Sequence, residues 1–173
     1  MPCALIGSIT QGCHDSIGGI KEIKLKAIQP MATVAANFTV TSGEVTIASG
    51  SRSSWYTYYI EKETAVLADH SHISIQNGTV HYEPKLKIIL QKLRAQIRNE
   101  IEILGLTAVQ IAIKDYNDNH WLAGKNNGMN LSCANGTTGL ERESRSGYEL
   151  IFSGMEPEPI CSMSTAVYDT LVT

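Results

Sequence analysis

The 173 residues carry 14 Lys and Arg against 17 Asp and Glu, and 43% of them are hydrophobic. That length and apolar fraction suit one packed domain, and a net charge of −3 leaves no basic footprint for nonspecific nucleic-acid binding. No apolar run approaches the ~20 residues of a spanning helix, and no base precedes Lys21 to form a secretory n-region, so a protein made and kept outside membranes is expected. The acids are unevenly placed. Glu149, Glu156, Glu158 and Asp169 all follow the last base, Arg145, leaving 17 − 4 = 13 acids against 14 bases before them.

In chain order, the first 20 residues are rich in Gly, Ser, Thr and Ile. Ile20–Ile28 then alternates, with Glu22, Lys24 and Lys26 on one side and Ile23, Leu25 and Ala27 on the other. This predicts a strand with a polar outer face that Pro30 ends. Phe38 and Val40, then Val45 and Ile47, predict two short strands around Ser42-Gly43. Residues 55–60 are aromatic and β-branched and predict another strand.

The strongest local signal runs from Ser71 to Glu83. Asn77-Gly78 supplies two φ > 0 residues for a tight turn, with alternating residues on both sides. A two-residue loop there pairs Gln76 with Thr79, Ile75 with Val80, Ser74 with His81, and Ile73 with Tyr82. One face then holds Ile73, Ile75, Val80 and Tyr82, and the other holds His72, Ser74, Gln76, Thr79, His81 and Glu83. Such a hairpin reaches ~20 Å beyond its base. It continues through Leu86, Ile88 and Leu90, with Pro84 marking a bulge or a free edge.

Leu93, Ile97, Ile101 and Leu104 recur at helical spacing and predict a helix over 91–104 that covers an open sheet face, stopped at Gly105. Val109, Ile111 and Ile113 alternate up to the polar turn 115–119, and 120–124 returns as a strand. Residues 128–133 and 147–153 predict two further strands joined by a polar loop. The sum is mainly β: an antiparallel β-sandwich or barrel with one flanking helix over residues 1–159, followed by an extended tail over 160–173.

Candidate chemistry is sparse. Cys3, Cys13, Cys133 and Cys161 show no C-x-x-C spacing, and no glycine run matches a nucleotide-binding fingerprint. Cys13-His14-Asp15-Ser16 holds a nucleophile, a base and an acid, but neighbours in an extended segment point to opposite faces. His70, His72, His81 and Glu83 fall on one hairpin face, where two imidazoles and a carboxylate offer transition-metal ligands; the ligand set is incomplete, and an exposed face of ordinary polar residues is the simpler account. Trp55, Tyr56, Tyr58 and Tyr59 form either a stacking platform or packed core aromatics. The residues therefore assign no catalytic, cofactor-binding or metal site.

Three stretches carry a resemblance. Gly12-Cys13-His14-Asp15-Ser16-Ile17-Gly18-Gly19-Ile20-Lys21 resembles the C-x-D-S-x-G-G-[IL]-K opening of tail-tube-like structural proteins from phages of Bacteroidetes, including the crAss-like group. Val109 to Asp115, followed by Trp121-Leu122-Ala123-Gly124, resembles their VKD-x-N-G-x-x-W-x-x-G hairpin, although Asp118 stands where the family has Gly. Gly147-Tyr148-Glu149-Leu150-Ile151-Phe152-Ser153-Gly154-Met155-Glu156-Pro157-Glu158-Pro159 is similar to their closing GYTLTLTGQEPEPA strand. The resemblance implies a non-enzymatic virion protein, made in the host cytoplasm, whose copies join edge to edge into a sixfold or twelvefold ring. That ring would sit in the tail beside other tail or portal-proximal proteins and pass DNA without sequence-specific binding. On this reading Glu149, Glu156 and Glu158 face the channel, and Ile73, Ile75, Val80 and Tyr82 contact the next subunit. Two other classes remain open: a soluble β-rich module binding carbohydrate or protein through Trp55 and its tyrosines, and a small thiol hydrolase built on Cys13.

Overall fold

The computed structural model describes residues 7–9, 14–28 and 38–172. Cys3, Cys13, Pro30 and part of the opening motif lie outside them. Eleven strands and two α-helices are described: β1 (Ile20–Ile28), β2 (Phe38–Thr41), β3 (Glu44–Ile47), β4 (Tyr56–Tyr59), β5 (Ala65–Ser74), β6 (Thr79–Gln91), α1 (Ala95–Leu104), β7 (Ala108–Asp115), β8 (His120–Ala123), β9 (Asn130–Thr137), β10 (Gly147–Ser153), β11 (Cys161–Met163) and α2 (Thr165–Asp169). They form a seven-stranded sheet, β2-β3-β11-β8-β7-β1-β4, and a four-stranded sheet, β5-β6-β10-β9. The expected β-sandwich with a flanking helix is the architecture found.

The alternating positions explain the main core. Ile23 and Leu25 from β1 and Ile111 and Ile113 from β7 meet Leu86 and Ile88 from β6 and Leu150 and Phe152 from β10 between the sheets. Adjacent strands pair antiparallel, as their hairpin signals require, except β11 with β3, which run parallel over Ser162–Glu44 and Met163–Val45. Ser42 (φ 53°) and Gly43 (φ 83°) supply the left-handed turn that joins β2 to β3.

The tail is the main correction. Residues 160–173 were expected to be extended, yet β11 joins the larger sheet, and Cys161, Met163, Tyr168 and Leu171 build a second core with Val45, Ile47, Trp55, Ala112 and Leu122. This core lies on the side of the sheet that β1 was expected to turn to water. Lys24 is consequently buried: its ammonium donates to Tyr168 O at 3.1 Å and Leu171 O at 3.0 Å and sits 4.3 Å from the Tyr168 ring centre. Residue 172 completes the seal, as Trp55 N donates to Val172 O and Val172 N donates to Arg52 O, each at 3.0 Å. A buried ammonium is tolerable because backbone carbonyls replace its water.

Smaller differences follow from local chemistry. The helix begins at Ala95 rather than 91, because β6 runs on to Gln91 and Lys92 turns the chain with φ 68°. Its stripe is also less covered than expected: Leu104 is buried, Ile97 and Ile101 are half-buried, and Leu93 is exposed. β9 extends to Thr137, through what was expected to be loop, because β10 pairs with it as far as Gly147–Thr137. The close approach of β10 to β6 demands Gly147, where an added Cβ would sit 2.2 Å from Leu90 O.

Candidate subunit interface

The β5–β6 hairpin forms where expected, with a different loop. Ser74 pairs with Thr79, Ile73 with Val80, His72 with His81, Ser71 with Tyr82 and His70 with Glu83. Residues 75–78 therefore make a four-residue loop, and each pair has moved by two from the expected register. A shift of two keeps every paired side chain on its expected face, because the strand period is two, while Ile75 and Gln76 pass into the loop. Pro84 produces no bulge. Its missing N–H interrupts the pairing with the chain after β10, which resumes where Tyr82 and Glu156 exchange bonds of 2.9 and 2.8 Å.

Beyond that bridge the hairpin stands clear of the body as an arm. Three register pairs at ~3.3 Å per residue carry it ~10 Å, plus the loop. All residues from 70 to 81 are exposed apart from half-buried Ser74. Ile73 is 65%, Ile75 92% and Val80 50% exposed, so the apolar face finds no cover among the described residues. Tyr82, at the root, is half-buried. On the opposite face the His72 and His81 rings stack 4.7 Å apart at 9°, and His72 Nε2 lies 3.1 Å from Glu83 Oε2. Hydrogen bonding from Lys85 and then from His72 holds the Glu83 carboxyl below the usual carboxylate range. Among the described residues, no three His, Cys, Asp or Glu side chains stand converged to hold a metal ion.

The other candidates come apart in space. Trp55 is fully buried, with its indole N–H donating to Ser51 O at 3.0 Å. Tyr56 and Tyr59 are exposed on opposite faces of edge strand β4, and the half-buried Tyr58 hydroxyl donates to Glu100 Oε2 at 3.4 Å. Burial and the Glu100 charge push the Tyr58 hydroxyl up to about 12. A single aromatic platform is not formed. His14, Asp15 and Ser16 are exposed, while Cys13 falls outside the described residues.

The motif residues serve architecture. Asp115 Oδ1 accepts from the backbone N–H groups of Asn117 (2.9 Å) and Asn119 (2.8 Å), and its Oδ2 accepts from the Trp121 indole at 3.3 Å. Asn117 clamps the opening segment: its side chain accepts from Ile17 N and donates to Ile17 O, both at 2.7 Å. Asp118, standing where the resemblance has Gly, adopts φ 58°, a left-handed conformation that glycine prefers and aspartate tolerates. Hydrogen bonding from Lys114 holds its carboxyl low.

The acidic stretch is not a row of free charges facing a channel. Glu156 is 5% exposed and accepts from the backbone N–H groups of Asn126 (3.0 Å), Asn127 (2.8 Å) and Gly128 (3.2 Å). Burial pushes its carboxyl up in pKa, although the three donors favour the anion. Glu149 pairs with Lys87 at 3.0 Å and with Arg145 at 3.6 Å, and Glu158 pairs with Lys125. The sequence alone concealed these partners, because all but Arg145 lie more than 25 residues away.

Compared with protein-family models, curated proteins and solved structures, the chain matches none.

Proposed function

We propose that the chain is a non-catalytic subunit of a phage tail, joining copies of itself into a ring or tube around a channel for DNA. The observation that carries this reading is the arm, whose apolar side chains Ile73, Ile75 and Val80 are left exposed by the described residues. A two-stranded hairpin is marginal alone, and an exposed apolar strand pair invites a partner. In this reading the arm lies against the next subunit. Closed rings are the usual outcome of head-to-tail contacts. Further support comes from the second and third motif stretches, where Asp115, Asn117 and Glu156 hold turns and segments together. The free edges β2 and β4 of the larger sheet, and β5 and β9 of the smaller, offer additional contact lines. DNA passage no longer rests on Glu156, since a buried carboxylate bound to three N–H groups cannot repel a phosphate in the channel.

Negative-stain imaging with light scattering tests the proposal. Rings or tubes are expected from the purified chain, and the images give the copy number. Ile75→Asp is expected to give a monomer with unchanged circular dichroism, because an unpaired charge at a packed interface is costly. Isolated particles from the unaltered chain at high concentration would sink the reading, as would normal rings from the variant.

A further inference from the structure

The arm's polar face carries an arrangement that only the observed register reveals. His72 sits directly across from His81, and the neighbouring pair on the same face is His70 across from Glu83. Three imidazoles and a carboxylate thus occupy the four corners of one patch, with His70 and His72 two residues apart on one strand. Cross-strand Cβ atoms in such pairs lie ~4.5–5.5 Å apart, and positions i and i+2 lie ~7 Å apart along a strand. Those spacings let side chains of this length meet at one ion with nitrogens ~2.0–2.1 Å from it. Two of the contacts are partly prepared, since the His72 and His81 rings already touch and Glu83 already reaches His72.

We propose that His70, His72, His81 and Glu83 bind a divalent transition ion, with Zn²⁺ best suited to the donor set, and that the ion clips the two strands of the arm together. The side chains are not converged as they stand, because parallel stacking keeps the two rings from aiming at one point. Their exposure leaves the rings room to turn: His70, His72 and His81 all lie on solvent-facing strand positions. Three imidazoles with one carboxylate match the nitrogen-rich, four-coordinate preference of zinc better than the all-oxygen shells of magnesium or calcium. The anionic Glu83 supplies charge balance, and Lys85, 3.0 Å from its Oε1, is the cation that zinc would displace. A clip here gives a marginal hairpin the rigidity that its own hydrogen bonds supply poorly. It also leaves Ile73, Ile75 and Val80 untouched on the other face. The inference does not depend on the subunit reading, because a monomeric chain carries the same patch.

The test is isothermal titration of the tag-free chain with Zn²⁺ alone, near neutral pH, followed by amide hydrogen exchange with and without the ion. One ion per chain is expected, with exchange slowed between Ile73 and Val80. His72→Ala and His81→Ala should each weaken binding by more than about tenfold with circular dichroism unchanged, while the distant His14→Ala should bind as the parent does. No saturable binding by the parent chain would overturn the site. So would binding that survives in a His72→Ala/His81→Ala double variant. Binding without slower exchange in the arm would overturn its role as a clip. Ring formation is scored separately, so failure of the metal site and failure of the subunit reading give different results.

Discussion

A single buried carboxylate holds the 124–128 loop. Glu156 satisfies three backbone N–H groups at once, and removing it strands the buried Gly128 N–H and frees the half-buried Asn126 and exposed Asn127 ones. Glu156→Ala is therefore expected to lower unfolding stability by about 3 kcal/mol in urea titrations, with Glu156→Gln, which keeps an acceptor oxygen, costing less. His120 is the other residue whose setting has a measurable consequence. It is buried against Tyr168, with ring centres 4.6 Å apart, and its Nε2 has no hydrogen-bond partner among the described residues. Burial, then the nearby Lys114 charge, pulls its pKa below the ordinary value, against smaller opposing effects of Asp169, Asp115 and Asp118. The native fold thus binds this proton less readily than the unfolded chain does. Stability is expected to fall as pH drops below about 6.5 and to level off once the native His120 titrates. Glu83, Asp118 and Glu149, all held low by their lysine partners, add a separate loss only in more acidic solution. Melting temperatures measured from pH 7 downward check the sign, and His120→Phe should flatten the first step while leaving the second.

Among the elements, α1 rests on one anchored residue. Leu104 is 7% exposed within the main core, Ile101 is half-buried against that core, and Ile97 is half-buried. Leu104→Ala is expected to cost ~2–5 kcal/mol, the range for truncating a buried leucine, and Ile97→Ala less, because part of its surface stays in water. Lost rings with an unchanged monomer melting temperature in Ile97→Ala would place the helix between subunits. Strands were read well where alternation is clean: β1 and β10 have the expected bounds, and β2 and β3 flank the expected turn. The Asn77-Gly78 signal located the arm's tip but not its loop length: Gly78 is left-handed (φ 62°) and Asn77 is not, so the two-residue turn that needs both gives way to a four-residue loop. Faces survived that error because the shift was even. β11 left no trace in the pattern because three residues, Cys161, Ser162 and Met163, are too few to show a period.

At the scale of the whole molecule, two cores share the larger sheet, and the second was illegible for a physical reason. Lys24 reads as solvent-facing in any alternation pattern, since its burial is made possible by backbone carbonyls 144 and 147 residues away. Tyr168 links these groups: its ring lies between Lys24 and His120, and its hydroxyl donates to Glu22 at 3.1 Å. Tyr168→Ala is expected to cost ~3–5 kcal/mol, as for other buried aromatics, measured by urea unfolding. A loss below about 1 kcal/mol would mean that the second core contributes little to global stability.

The parallel pairing of β11 with β3 also imposes an order in time. In the sheet, the β2–β3 hairpin touches its neighbours only through β11, which stands between β3 and β8. Yet β11 begins at Cys161, 161 − 47 = 114 residues after β3 ends at Ile47. During synthesis, which releases the chain from its N-terminus onward, the early hairpin has no seat until those late residues emerge. Until then β8 presents an unpaired edge and Val45 and Ile47 stay wet. Completion of that side of the larger sheet is thereby deferred until nearly all of the described chain has been made, so the β2 edge comes last, whereas β4, β5 and β9 do not wait for β11.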